Sequence, residues 1–172
     1  MLTLSLVVNV LIGICAQAAG VLAPSVPAAL AGVQFLLGDW EATDTAPGET
    51  GGFAFVSGVQ GRVIVRTNTA HDAATDQRPE FRHDDLMIIY AEGAALKADY
   101  FDNEGHVIRY VGQTRGVRDV AFVSGPNASE PRYRLTYTLS ADNTLHGQFE
   151  IAPPGAADFT PYLAWTARKT KR

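Results

Sequence analysis

The side chains able to do acid–base, nucleophilic or metal chemistry here are few and scattered. The chain has four histidines and one cysteine. His71 and His83 fall in a polar stretch, 70–84, that reads as one long loop. Loops of this length in compact domains often serve function, so the stretch is expected to border a portal. His83-Asp84-Asp85 has the residue types of a metal site. No second histidine stands at ligand spacing on a regular element, however, so no metal site is predicted. Gly51-Gly52 and the Gly58–Gly61 segment lie between predicted strands, not at helix N-termini, and read as turn glycines instead of phosphate cradles. Serine-hydrolase and dinucleotide fingerprints are absent, and no catalytic residue is assigned.

The elements that must position these groups read as strands. From Phe35 onward, short runs of Val, Ile, Tyr, Phe and Thr alternate with Gly, Asp, Asn and Pro clusters, a pattern that marks a sandwich or barrel. About ten strands are expected, near 35–43, 51–57, 60–69, 85–91, 95–102, 106–113, 118–124, 132–140, 144–151 and 161–168. Two hairpins set their own register. Asp102-Asn103-Glu104-Gly105 has the residues of a type I turn closed by a left-handed glycine. It places Tyr100 opposite Ile108 and Ala98 opposite Tyr110 on one face, with Asp99 opposite Arg109 on the other. Ser140-Ala141-Asp142-Asn143 repeats this with an asparagine that tolerates the left-handed region. It pairs Leu139 with Leu145, Tyr137 with Gly147 and Leu135 with Phe149. His146 then faces outward with Thr138, and Arg134 faces Glu150. One face of each hairpin is apolar and aromatic, and the other is polar and charge-matched, as in antiparallel barrels and sandwiches.

Charge and hydropathy bound the rest. The 172 residues suit one domain, and the net charge of −4 argues against nucleic acid, which demands excess Lys and Arg. No charged residue precedes Asp39. Leu2 to Cys15 is apolar and ends in Ala16-Gln17-Ala18, so residues 1–18 read as a signal peptide and the protein as periplasmic or secreted. The run is too short to span a bilayer comfortably, and no stable membrane span is expected in the mature chain. Cleavage would remove Cys15 and leave no thiol. Residues 19–34 read as a short N-terminal segment or helix, 35–168 as the barrel domain, and 169–172 as a solvated basic tail.

Gly38-Asp39-Trp40 opens the first strand after the short helix, and Arg168 lies at the end of the last. This pattern resembles the calycin superfamily of lipocalins, fatty-acid-binding proteins and nitrobindin-like barrels. The resemblance implies an all-β, single up-and-down antiparallel barrel with a short N-terminal helix. It also implies Arg168 packed over a buried Trp40 at one barrel end. The strand count favours the ten-stranded branches, and a bacterial branch is the expectation. The leading functional expectation is a non-enzymatic barrel for a small apolar or aromatic ligand, lined by Tyr90, Tyr100, His106, Ile108, Tyr110, Leu135, Tyr137 and Phe149. No cofactor is required. A nitrobindin-like alternative binds haem through His106, and a further alternative is a filled barrel serving as a structural or interaction module of the cell envelope. The identity of the ligand and the oligomeric state are left open.

Overall fold

A computed structural model of the chain describes residues 25–126 and 129–170. The expected leader and the end of the basic tail lie outside the described residues. Ten strands follow one short helix, α1 (Ala28–Ala31). They are β1 (Gly38–Ala42), β2 (Glu49–Gly58), β3 (Val63–Asp72), β4 (Phe81–Glu92), β5 (Ala95–Asp102), β6 (Val107–Gly116), β7 (Asp119–Ser124), β8 (Arg132–Leu139), β9 (Leu145–Ala152) and β10 (Thr160–Lys169). Each strand pairs antiparallel with the next in sequence, and β10 returns to β1. The sheet is therefore a closed up-and-down barrel, and closure leaves no unpaired edge to manage.

The two diagnostic hairpins form as their turn residues dictate. Gly105 takes φ +92°, its N–H donates to the Asp102 carbonyl at 3.2 Å, and Asp102 N–H donates to the His106 carbonyl at 3.3 Å. Tyr100 then pairs with Ile108 and Ala98 with Tyr110, while Asp99 faces Arg109. Asn143 sits at φ +63°, and Leu139–Leu145, Tyr137–Gly147 and Leu135–Phe149 are cross-strand partners. Gly147 is demanded by a close approach: a Cβ there would lie 2.1 Å from the Trp165 ring, which lies across it.

Several boundaries differ from the sequence reading: Gly51-Gly52, read as turn glycines, lie inside β2, and β3 begins at Val63 after the 3₁₀ turn Val59–Gly61. The polar stretch 70–84 is mostly strand, because β3 and β4 stay paired out to Ala70–His83 and Asp72–Phe81. Polar residues extend a ladder as well as apolar ones once the hairpin register is set, so the connection shortens to 73–80. The first strand begins later than expected, since Gln34–Leu36 forms a 3₁₀ turn after α1. Leu30, Val33 and Leu36 from this segment are fully buried and plug one barrel end.

That plugged end carries the turns 59–61, 93–94, 117–118 and 140–144, together with α1. The opposite, open end carries the longer connections 43–48, 73–80, 103–106 and 153–159 and the link from β7 to β8. Trp40 is buried near the plug, and its Nε1–H donates to the Leu36 carbonyl at 2.7 Å. The cation over its ring is Lys169, with Nζ 5.0 Å from the centroid, and not Arg168. Strand alternation explains the correction. Trp40 pairs directly with Lys169, and Arg168 pairs with Glu41 and so points to the other face. There Arg168 binds Asp142 at 3.2 Å.

Candidate functional site

The lumen has two halves of different character. Near the plug it is filled: Phe55, Ile64, Met87, Ile89, Val120, Phe122, Tyr137 and Leu145 are each almost wholly inaccessible. Tyr137 is wedged edge-on against Phe55 at 5.5 Å and Trp165 at 6.0 Å. Toward the open end the packing loosens. Ala42, Gly51 and Ala70 meet on the inner face of β1–β3, where a Cβ on Gly51 would touch both alanines. The inner face also carries Tyr100, Tyr133, Phe149 and Trp165, all only partly buried. Tyr133 stacks on Phe149 at 5.7 Å, and Tyr162 meets Phe149 edge-on at 6.1 Å.

Between the two halves lies a polar layer that the sequence did not announce. Arg66 on β3 donates from Nη1 to Asp85 Oδ1 on β4, and both side chains are buried. Asn68 Nδ2 donates to the other carboxylate oxygen at 2.9 Å. The register explains the cluster: Asn68 is the direct partner of Asp85, and Arg66 is its diagonal neighbour on the same face. The guanidinium also lies 5.3 Å from the Phe53 ring centroid. Burial alone would lower the Arg66 pKa. The Asp85 carboxylate opposes this and the net direction is upward, so the group is charged.

A second set of bonds runs from this layer to the rim. His83 faces Tyr100 Oη at 3.1 Å and Asp85 Oδ2 at 3.4 Å through Nε2, and Glu104 at 3.1 Å through Nδ1. Tyr100 donates to Asp102 Oδ2 at 3.3 Å. His106 gives Asp102 a backbone N–H at 2.9 Å and has its Nδ1 2.8 Å from Oδ2. The Asn103 side chain ties this turn to β4, accepting from Asp84 N–H and donating to the Arg82 carbonyl. Burial pushes the Tyr100 hydroxyl pKa up, helped by Asp85 and Asp102, and burial also raises that of Tyr110. Both phenols therefore act as hydrogen-bonding groups and not as phenolates.

The expected lining residues divide accordingly. Tyr100, Ile108, Tyr110, Leu135, Tyr137 and Phe149 belong to the inward core, with Tyr137 deep in its filled part. Tyr90 does not join them. It pairs with Lys97, sits one residue out of phase with buried Ile89, and its hydroxyl reaches Asp99 Oδ2 at 3.4 Å on the outer face. His106 lies at the mouth in the turn, not on a strand, and is largely exposed. Both mouth histidines, His83 and His106, are engaged with carboxylates. His71, on β3, lies 2.8 Å from Glu80. His83 and Asp85 point inward, whereas Asp84 between them points outward to Arg82.

Two shallow depressions lie elsewhere. One, of about 390 Å³, is bordered by α1 and the ends of β5 and β6; the other, of about 290 Å³, runs along β1–β3. None of the eight expected lining residues borders either. No helix among the described residues is long and apolar enough to cross a membrane. The sequence matches no protein-family model and no curated protein.

Proposed function

We propose that this protein is an exported, non-enzymatic barrel of calycin kind that holds one small, largely apolar molecule at its open mouth. The observation that carries the reading is the asymmetry of the lumen. One half is packed with side chains, and the other combines the small side chains of Ala42, Gly51 and Ala70 with half-buried Tyr100, Tyr133, Phe149 and Trp165. A barrel serving only as a scaffold gains nothing by leaving four large aromatic rings partly wet, since each forgoes burial worth about 25 cal/mol per Å² of apolar surface. Aromatic walls with a few fixed polar groups are what small-molecule sites present. The apolar segment ending in Ala16-Gln17-Ala18 supports export.

The test is titration with an environment-sensitive apolar dye, repeated with Ala70→Trp, which fills the mouth from its small wall. Saturable binding near one site per chain, lost in Ala70→Trp, supports the reading. Absence of saturable binding, or binding indifferent to that substitution, would put the structural-module alternative in its place.

A further inference from the structure

Two buried polar atoms in the lumen have no hydrogen-bond partner among the described residues: Arg66 Nε and the Tyr137 hydroxyl. Each belongs to a side chain at least nine-tenths buried. They lie in one neighbourhood. The Phe53 ring neighbours both side chains, its centroid 5.3 Å from the guanidinium carbon and 6.5 Å from the Tyr137 ring centroid. A buried polar group without a partner is destabilising and native interiors seldom keep one, so two together are not tolerated idly.

Their chemistry restricts what could satisfy them. An arginine Nε–H can only donate, and the phenol of Tyr137 is a protonated donor whose pKa burial pushes up to about 12. A single accepting oxygen satisfies both, since the Arg66 Nε–H can only donate and the phenol, which can also accept, is able to donate to it. Charge restricts it further. Arg66 is already neutralised by Asp85, which also receives the Asn68 amide. The next buried charge toward the rim is another carboxylate, Asp102, with its side chain 4% exposed. An anion entering here would add an uncompensated negative charge to a layer whose balance is already zero or below, which a low-dielectric interior penalises strongly.

Resting on the binding reading above, we infer that the ligand is an uncharged apolar molecule whose carbonyl-type oxygen accepts from Arg66 Nε–H and the Tyr137 hydroxyl. A carboxylate or sulfonate is the wrong head group despite the buried arginine. Asp85 acts as the filter, because it uses up the arginine's charge while leaving one of its N–H groups unspent. A neutral ketone, quinone or ester on an aromatic or isoprenoid body meets both conditions.

The experiment compares two dyes built on one ring system, a dimethylaminonaphthyl ethyl ketone and a dimethylaminonaphthalene sulfonate, by fluorescence titration. The inference expects one ketone per chain, bound at least about tenfold more tightly than the sulfonate. Tyr137→Phe, which keeps the ring and removes the donor, should weaken the ketone by about tenfold. Asp85→Asn, checked for folding by circular dichroism, should shift the preference toward the sulfonate. If Asp85→Asn does not fold, Tyr137→Phe alone decides. Equal or tighter sulfonate binding by the unaltered protein, or ketone binding indifferent to Tyr137→Phe, overturns the head-group assignment and leaves the binding reading standing. If neither dye binds, the binding reading falls and takes this inference with it.

Discussion

Trp40 and Lys169 face each other directly across β1 and β10, with the ammonium 5.0 Å from the indole ring. The pair closes the plugged end of the barrel, and its parts carry unequal weight. Trp40→Ala should cost about 3–5 kcal/mol, as large aromatic truncations in cores do. Lys169→Ala should cost about 0.5–1 kcal/mol, the worth of an exposed cation–π contact. Arg168→Ala, which removes only a solvent-exposed pair with Asp142, should stay within about 0.5 kcal/mol. Urea denaturation of the three variants checks the ranking, and an Arg168 effect as large as that of Trp40 would contradict the observed face.

The buried Arg66–Asp85 pair should behave as a functional expense and not as a stabilising strut. Removing one partner leaves a lone buried charge, so Arg66→Met should destabilise by about 3–5 kcal/mol. Replacing both, Arg66→Met with Asp85→Leu, should recover most of that loss, because the desolvation of both ions disappears together. The double variant is expected to fold well and to have lost dye binding. Full recovery of binding would show that the pair has no part in the site.

Tyr137→Phe offers a complementary signature. Among the described residues the hydroxyl has no partner, so its removal should raise stability by about 1 kcal/mol. The melting temperature should rise by about 2–4 °C in a chain of this size. A hydroxyl kept at the cost of stability is characteristic of a working site. A fall in melting temperature would mean that the hydroxyl already makes a favourable bond.

Stability should respond to acid through two carboxylates. Two hydrogen bonds from Arg134 depress the Glu150 pKa against the opposing effect of burial. Burial would raise that of Asp102, but the backbone and ring of His106 overcome it and the net shift is downward. A depressed carboxylate stabilises the fold above its unfolded value of about 4, and the contribution is lost as pH falls through the folded value. Urea midpoints should therefore be insensitive to these groups down to about pH 5 and fall below it. Glu150→Gln should lower the midpoint at neutral pH and flatten the acid limb; an unchanged limb would refute the assignment.

The fold was legible where turn chemistry met clean alternation. Gly105 and Asn143 pinned two hairpins, and every pair read from them is present. The site was less legible because its central charges sit where charges seldom do. Arg66 and Asp85 lie in runs that carry apolar residues on both faces, Val63-Ile64-Val65 and Leu86-Met87-Ile88-Ile89, so alternation could not assign them a side. A signal did exist. The short Gly93-Ala94 turn pairs Glu92 with Ala95 and thereby carries the β5 face onto β4, setting Ala98 against Ile89, Tyr100 against Met87 and Asp102 against Asp85. Followed one strand back from the legible hairpin, that register turns Asp85 inward and Tyr90 outward. The Trp40 partner was misread for a simpler reason: adjacent basic residues at a strand end differ only in parity, and the seam has no turn to fix it.

That seam sets the order in which the molecule can assemble. Nine of the ten strand pairings join chain neighbours and can form by successive local hairpins. The tenth joins β1 to β10 through three residue pairs, Trp40–Lys169, Glu41–Arg168 and Ala42–Ala167, while β2 and β3 share ten. It closes a loop of more than a hundred residues, so its entropy must be met before its contacts reward it. Topology therefore predicts a ribbon whose two ends meet last, with the encounter of the first strand and the last expected to limit the rate of folding.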